Sequence, residues 1–330
     1  IYSNANLFQS VEVDAINAKL AHYKANPLKY NTLFVGSSAT FRGFVPAQFD
    51  AEMDEIYDCR SFNFGIGGIT PLRNFDLLEN ILAVENPNLE YIFFELRNCP
   101  TDVANPTHPA TVFHHTRKNY SRYNHIESRS AISLESRAWR KHTQALLYRT
   151  FSFAVVNKAL QQHIFNFQNP DTASLQQYGY LSIEQELASA DDERTASLEK
   201  RRTILLADTS ALLKRKNKNL RQLIKKNKPF KRTAYITYLE ELAAKASERN
   251  VHLYFVASPL YNGGPGIEKT VLASQIISDR FIDIADSNKY PEFYTVENCF
   301  DYAHLNENGA KLYTSYLADE FKHRLKSPSL

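Results

Sequence analysis

The chain has no run of about 18 apolar residues, so no stretch of it reads as a membrane span. Cysteine is scarce. Cys59, Cys99 and Cys299 show neither metal-ligand spacing nor a redox pair. One disulfide at most can form, and a Cys99–Cys299 bond and two unpaired thiols stand equally open. There is no Gly-x-x-x-x-Gly-Lys sequence and no Gly-x-Gly-x-x-Gly fingerprint, which argues against a nucleotide-binding loop. His108, His114 and His115 lack cysteine or acidic partners at ligand spacing, so neither a metal nor another cofactor is expected. Methionine does not stand first. Ile1 does, and the expectation is a trimmed or processed start, once preceded by a signal peptide or membrane anchor.

What is present is a chain of 330 residues, 43% hydrophobic and 12% aromatic, enough for a substantial core and unlike a disordered sequence. The net charge of +3 hides a division. Residues 101–232 hold 23 Lys and Arg against 11 Asp and Glu, and the remainder holds 16 against 25. Lys214 to Arg232 alone carries ten basic residues and no acid. The two regions present different surfaces. The basic one suits an anionic polymer or lipid headgroups, but no nucleic-acid-binding motif accompanies it.

Apolar runs at Thr32–Val35, Ser61–Phe64, Tyr91–Leu96, Val251–Ala257 and Arg280–Ile284 read as strands. Helical spacing lies between them, at 11–22, at Ala47–Ile56, from Pro71 through Leu72, Phe75, Leu78 and Leu82, at Tyr235–Glu248 and at Asn306–Leu325. This alternation predicts a five-stranded parallel sheet in a three-layer α/β/α fold. Residues 1–100 and 233–330 supply that domain. Residues 101–232 read as a basic helical insertion, a lid or substrate-binding subdomain. Its expected parts are a loop over 101–130 and long helices over 132–167 and 195–227.

Four loops fall at carboxyl ends of these strands, where open α/β sheets gather their ligand sites. Gly36-Ser37-Ser38 is a strand-to-helix turn, and Ser38 reads as a nucleophile. Asp301-Tyr302-Ala303-His304 offers a base in His304 and a carboxylate, Asp301, to orient it. The Ser38 and Gly68 N–H groups and the Asn98 side chain can form an oxyanion hole. Arg42 and Arg97 lie close enough in sequence to these loops to bind substrate. Blander roles exist for each: a helix cap for Ser38, a turn former for Asp301, a plain turn for Gly65, Gly67 and Gly68.

The order of these motifs resembles that of the SGNH (GDSL-like) hydrolase superfamily, over residues 31–100 and 233–325. Gly36-Ser37-Ser38 looks like its serine block, with Ser37 where many members have Asp. Asn63-Phe64-Gly65-Ile66-Gly67-Gly68 looks like its glycine block. Asp301-Tyr302-Ala303-His304-Leu305-Asn306 looks like its terminal Asp-x-x-His. Around Asn98 the chain has Arg97 and Cys99 where members often have Gly and Asp. The downstream Gly43-Phe44-Val45-Pro46 is similar to envelope members that act on cell-surface polymers.

The resemblance implies a flavodoxin-like sheet and O-acetyl esterase or O-acetyltransferase chemistry on a cell-surface carbohydrate polymer. It also implies an extracytoplasmic, membrane-tethered protein, with a membrane-bound acyl donor protein as a partner if the reaction is transfer. Two other readings stand beside it: a non-catalytic polymer-binding or assembly factor on a degenerate scaffold, and a lipid-ester hydrolase.

Overall fold

The computed structural model describes residues 11–97, 105–128, 137–151, 172–216, 234–260 and 267–326. Its strands are β1 (Thr32–Gly36), β2 (Ser61–Gly65), β3 (Tyr91–Glu95), β4 (His252–Ala257) and β5 (Phe281–Asp283). They form one sheet in the order β2-β1-β3-β4-β5, with every pairing parallel. This is the doubly wound, flavodoxin-like order expected from the sequence. The chain leaves β1 for one neighbour, β2, and later fills the other side with β3, so a crevice opens at the carboxyl ends of β1 and β3.

Side chains alternate across each strand. Leu33, Val35, Phe62, Phe64, Ile92, Phe94, Leu253 and Phe255 enter one apolar layer. Phe34, Phe93, Val256 and Ile282 enter the other. Burial on both faces explains why the strands read as nearly continuous hydrophobic runs. The first layer is covered by helices Val11–Ala25, Pro71–Leu82, Ala234–Ser247 and Ile267–Ile276, the second by Pro46–Met53 and Glu307–Lys326. The last helix places Tyr313, Leu317 and Phe321 on one stripe, and Phe321 meets Phe93 edge-on with centroids 5.0 Å apart.

Between β3 and β4 the structure departs from the expectations in two places. Residues 101–130 are not simply loop: Pro109–His114 and Arg117–Ser128 are helices. Pro109 takes the first helical position, and the His108 ring accepts the Ala110 N–H. Arg117–Ser128 is held by ion pairs from Arg122 to Asp76 and Glu79, so an apolar stripe hardly shows in its sequence. The long helix expected over 195–227 is broken. Asp192–Ala207 ends at Asp208, whose carboxylate accepts the Ser210 N–H at 2.8 Å and opens Ser210–Lys216. Of the other long helix, Arg137–Phe151 is described and helical. Residues 152–167 and most of the basic run, 217–232, lie outside the described residues. Among the described residues no helix is long and apolar enough to cross a membrane.

Candidate active site

Gly36 ends β1 and Ser37 turns the chain. The Ser37 side chain accepts the Ala39 N–H at 3.2 Å and caps helix Ser38–Gly43. A Cβ on Gly36 would fall 1.9 Å from Thr40 Oγ1 and 2.5 Å from Glu95 Oε2, so only glycine lets this helix fold back onto the strand. Ser38 is the first helical residue, and its N–H has no partner among the described residues. Asn63, fully buried on β2, ties the other end of the short helix down. Its Nδ2 donates to Thr40 O at 2.9 Å and to Phe44 O at 2.8 Å.

Near the chain's far end, residues 299–305 form a loop closed by a Cys299–Leu305 bridge and by the Phe300 N–H on His304 O at 2.9 Å. Asp301 Oδ1 accepts the Ala303 N–H at 2.6 Å and the His304 N–H at 2.8 Å, an Asx turn. The turn swings the carboxylate onto the ring. His304 Nδ1 lies 3.0 Å from Oδ1 and 2.9 Å from Oδ2. Its Nε2 lies 2.9 Å from Ser38 Oγ, across 266 residues of sequence. A ring that donates from Nδ1 to Asp301 has Nε2 free to accept the Ser38 proton.

Electrostatics favour the neutral ring. Burial lowers the His304 pKa from its ordinary value; Asp301 opposes, and the Arg42 and Arg97 cations add to the lowering. Burial alone would raise Asp301, but the His304 hydrogen bond and charge and the two backbone donors hold it below the usual carboxylate value. The pair is an ionised carboxylate beside a neutral imidazole.

Helix Asp192–Ala207 buttresses the histidine loop. Arg202 Nη1 donates to Cys299 O at 2.5 Å and to Phe300 O at 3.3 Å, and Tyr302 OH donates to Ile204 O at 3.2 Å. On the opposite side, Ile66 N–H donates to Gly36 O at 2.9 Å, which sets the 66–70 loop beside the nucleophile turn. Gly68 there has φ +80°, a glycine conformation, and its N–H has no partner among the described residues.

The remaining predicted residues separate. Arg42, a candidate for binding substrate, is 6% exposed and paired with Glu186 through Nε at 2.8 Å and Nη2 at 2.5 Å. Glu186 also receives Arg194, so Arg42 anchors helix Ile183–Ser189 to the site. Arg97 is one-third exposed and stands at the turn itself, with Nη1 donating to Ser37 Oγ at 2.9 Å. Asn98 and Cys99 lie outside the described residues. Cys299 is a free, buried thiol that donates to Phe293 O, so of the two readings for the cysteines the unpaired one stands for it.

Two residues escaped the sequence reading. Arg202 is one basic residue among many. Glu95 ends β3 with its carboxylate under the nucleophile turn: Oε2 accepts the Ser37 N–H at 2.6 Å and Thr40 Oγ1–H at 2.9 Å. A lone acid closing the run Tyr91-Ile92-Phe93-Phe94 was the available signal. The chain matches no protein-family model. No curated protein matches it either.

Proposed function

We propose that the chain is a serine-dependent acyl-ester enzyme in which Ser38, His304 and Asp301 act as a triad. The observation that carries this reading is the continuous chain of hydrogen bonds from Asp301 through both ring nitrogens of His304 to Ser38 Oγ. Ser38 Oγ attacks the ester carbonyl while His304 Nε2 takes its proton. The carbonyl oxygen, now negative, meets the unpaired Ser38 N–H at a helix start, with the Gly68 N–H from the adjoining loop. His304 returns the proton to the departing alkoxide, which leaves as alcohol. Water, or the hydroxyl of an acceptor, then attacks the acyl-enzyme with His304 again as base. Water gives hydrolysis, and an acceptor hydroxyl gives transfer.

The substrate proposed is an O-acyl ester, with O-acetyl groups on a cell-surface carbohydrate polymer as the natural case. That choice, the extracytoplasmic location and a membrane-bound acyl donor follow from the motif resemblance. The basic charge of 101–232 is consistent with it and argues against an apolar lipid lid.

Turnover of p-nitrophenyl acetate tests the reading. Ser38→Ala and His304→Ala should each lower kcat about 10⁴-fold or more while circular dichroism stays unchanged. Full turnover in Ser38→Ala would remove the assignment.

A further inference from the structure

Glu95 has the wrong chemistry for its surroundings unless it has a task there. It is 4% exposed and lies at the end of a strand whose Ile92, Phe93 and Phe94 are core residues. Burying a carboxylate is costly without donors to hold it. Its donors come from the residues that flank the nucleophile. Oε2 takes the N–H of Ser37, one residue before Ser38, and the hydroxyl of Thr40, two residues after it. Oε1 faces Arg97 Nε at 3.4 Å, and Arg97 Nη1 reaches Ser37 Oγ at 2.9 Å. A ring of contacts therefore runs from Glu95 to Ser37, from Ser37 to Arg97 and back to Glu95.

We propose that Glu95 is a positioning residue for Ser38: its carboxylate, beside the Arg97 cation, fixes the Ser37–Thr40 turn so that Ser38 Oγ stays on His304. This rests on the reading of Ser38 as nucleophile. By accepting the Ser37 N–H, Glu95 also takes that donor out of use, while the Ser38 N–H keeps no partner among the described residues. A carboxylate suits the place and an amide does not. Glutamine with its oxygen at the Oε2 position would remove the charge that faces the Arg97 cation 3.4 Å away. Turned over, it would set the NH₂ against the Ser37 N–H. One orientation loses the ion pair with Arg97, and the other sets donor against donor at Ser37.

The test uses the whole chain, p-nitrophenyl acetate and a fluorophosphonate that labels an activated serine. Rates are normalised to folded protein by near-UV circular dichroism. Glu95→Gln should lower kcat and the labelling rate about 10- to 100-fold, the cost of a misplaced nucleophile, with KM changed less than about threefold. Thr40→Val, nearly isosteric, removes one donor to the same oxygen and should lower kcat several-fold with KM unchanged; it decides the matter where Glu95→Gln does not fold. Full kcat per folded molecule in either folded variant, or a change confined to KM, overturns the proposal and leaves the triad reading intact. If the wild type neither turns over the ester nor takes the label, the triad reading fails and this proposal falls with it.

Discussion

In the proposed reaction His304 accepts the Ser38 proton only while its ring is neutral, so ester turnover should fall as pH drops through its native pKa. Burial, helped by Arg42 and Arg97 and opposed by Asp301, places that pKa below 6.5. The acid limb of kcat/KM for p-nitrophenyl acetate should accordingly have its midpoint below 6.5, and Asp301→Asn, which removes the opposing charge, should move it lower still. A wild-type midpoint at 7 or above would contradict the lowering of His304 by burial. The hydrogen-bonded set Ser38, His304 and Asp301 was legible in the sequence because acyl-transfer chemistry, where it occurs, needs particular residue types at strand ends, and the turn Asp301-Tyr302-Ala303-His304 is local enough to be read from spacing. The fate of Arg42 was not legible, because its partner Glu186 is 144 residues away. The contacts of Glu95 were hidden for a related reason: they depend on β1 and β3 lying side by side, a pairing no local pattern states.

Strands and sheet-covering helices were readable because an apolar period of two or near four is imposed by burial against the sheet. The elements between β3 and β4 were less so, since charge fixes some of them. Asp76, on helix Pro71–Leu82, accepts from Arg122 and from the Tyr123 hydroxyl, and lies 3.4 Å from His114 Nδ1. Helix Arg117–Ser128 is thereby fastened to the helix that follows the glycine loop. Asp76→Ala would leave Arg122 and Tyr123 buried with fewer acceptors. It should cost about 3 kcal/mol, read as a lower urea midpoint. A loss under about 0.5 kcal/mol would mean that the network is dispensable and that apolar contacts hold these helices.

At the scale of the molecule, acid acts on several buried and half-buried groups in the same direction. An unfolded histidine binds its proton near pH 6.5. Burial lowers His22 and His304 in the native state and pushes His115, which lies 2.9 Å from His142 Nδ1, down to about 3. Between pH 6.5 and 3 the unfolded chain therefore binds more protons than the native one, so stability is lost as pH falls through that window. Burial alone would raise Glu79 and Glu186, but Lys118 and Arg122 hold the first low and Arg42 and Arg194 the second, so both add to the loss below about pH 4.5. Residues 101–232, which carry His115 and His142 within a strongly basic stretch, gain further positive charge as this happens. The urea midpoint should fall clearly from pH 7.5 to pH 5, before most carboxylates titrate. His115→Leu cannot take up the proton, so its midpoint should change less over the same interval, whatever its stability at pH 7.5. Equal slopes in the two proteins would show that His115 is not the group that makes the fold sensitive to acid.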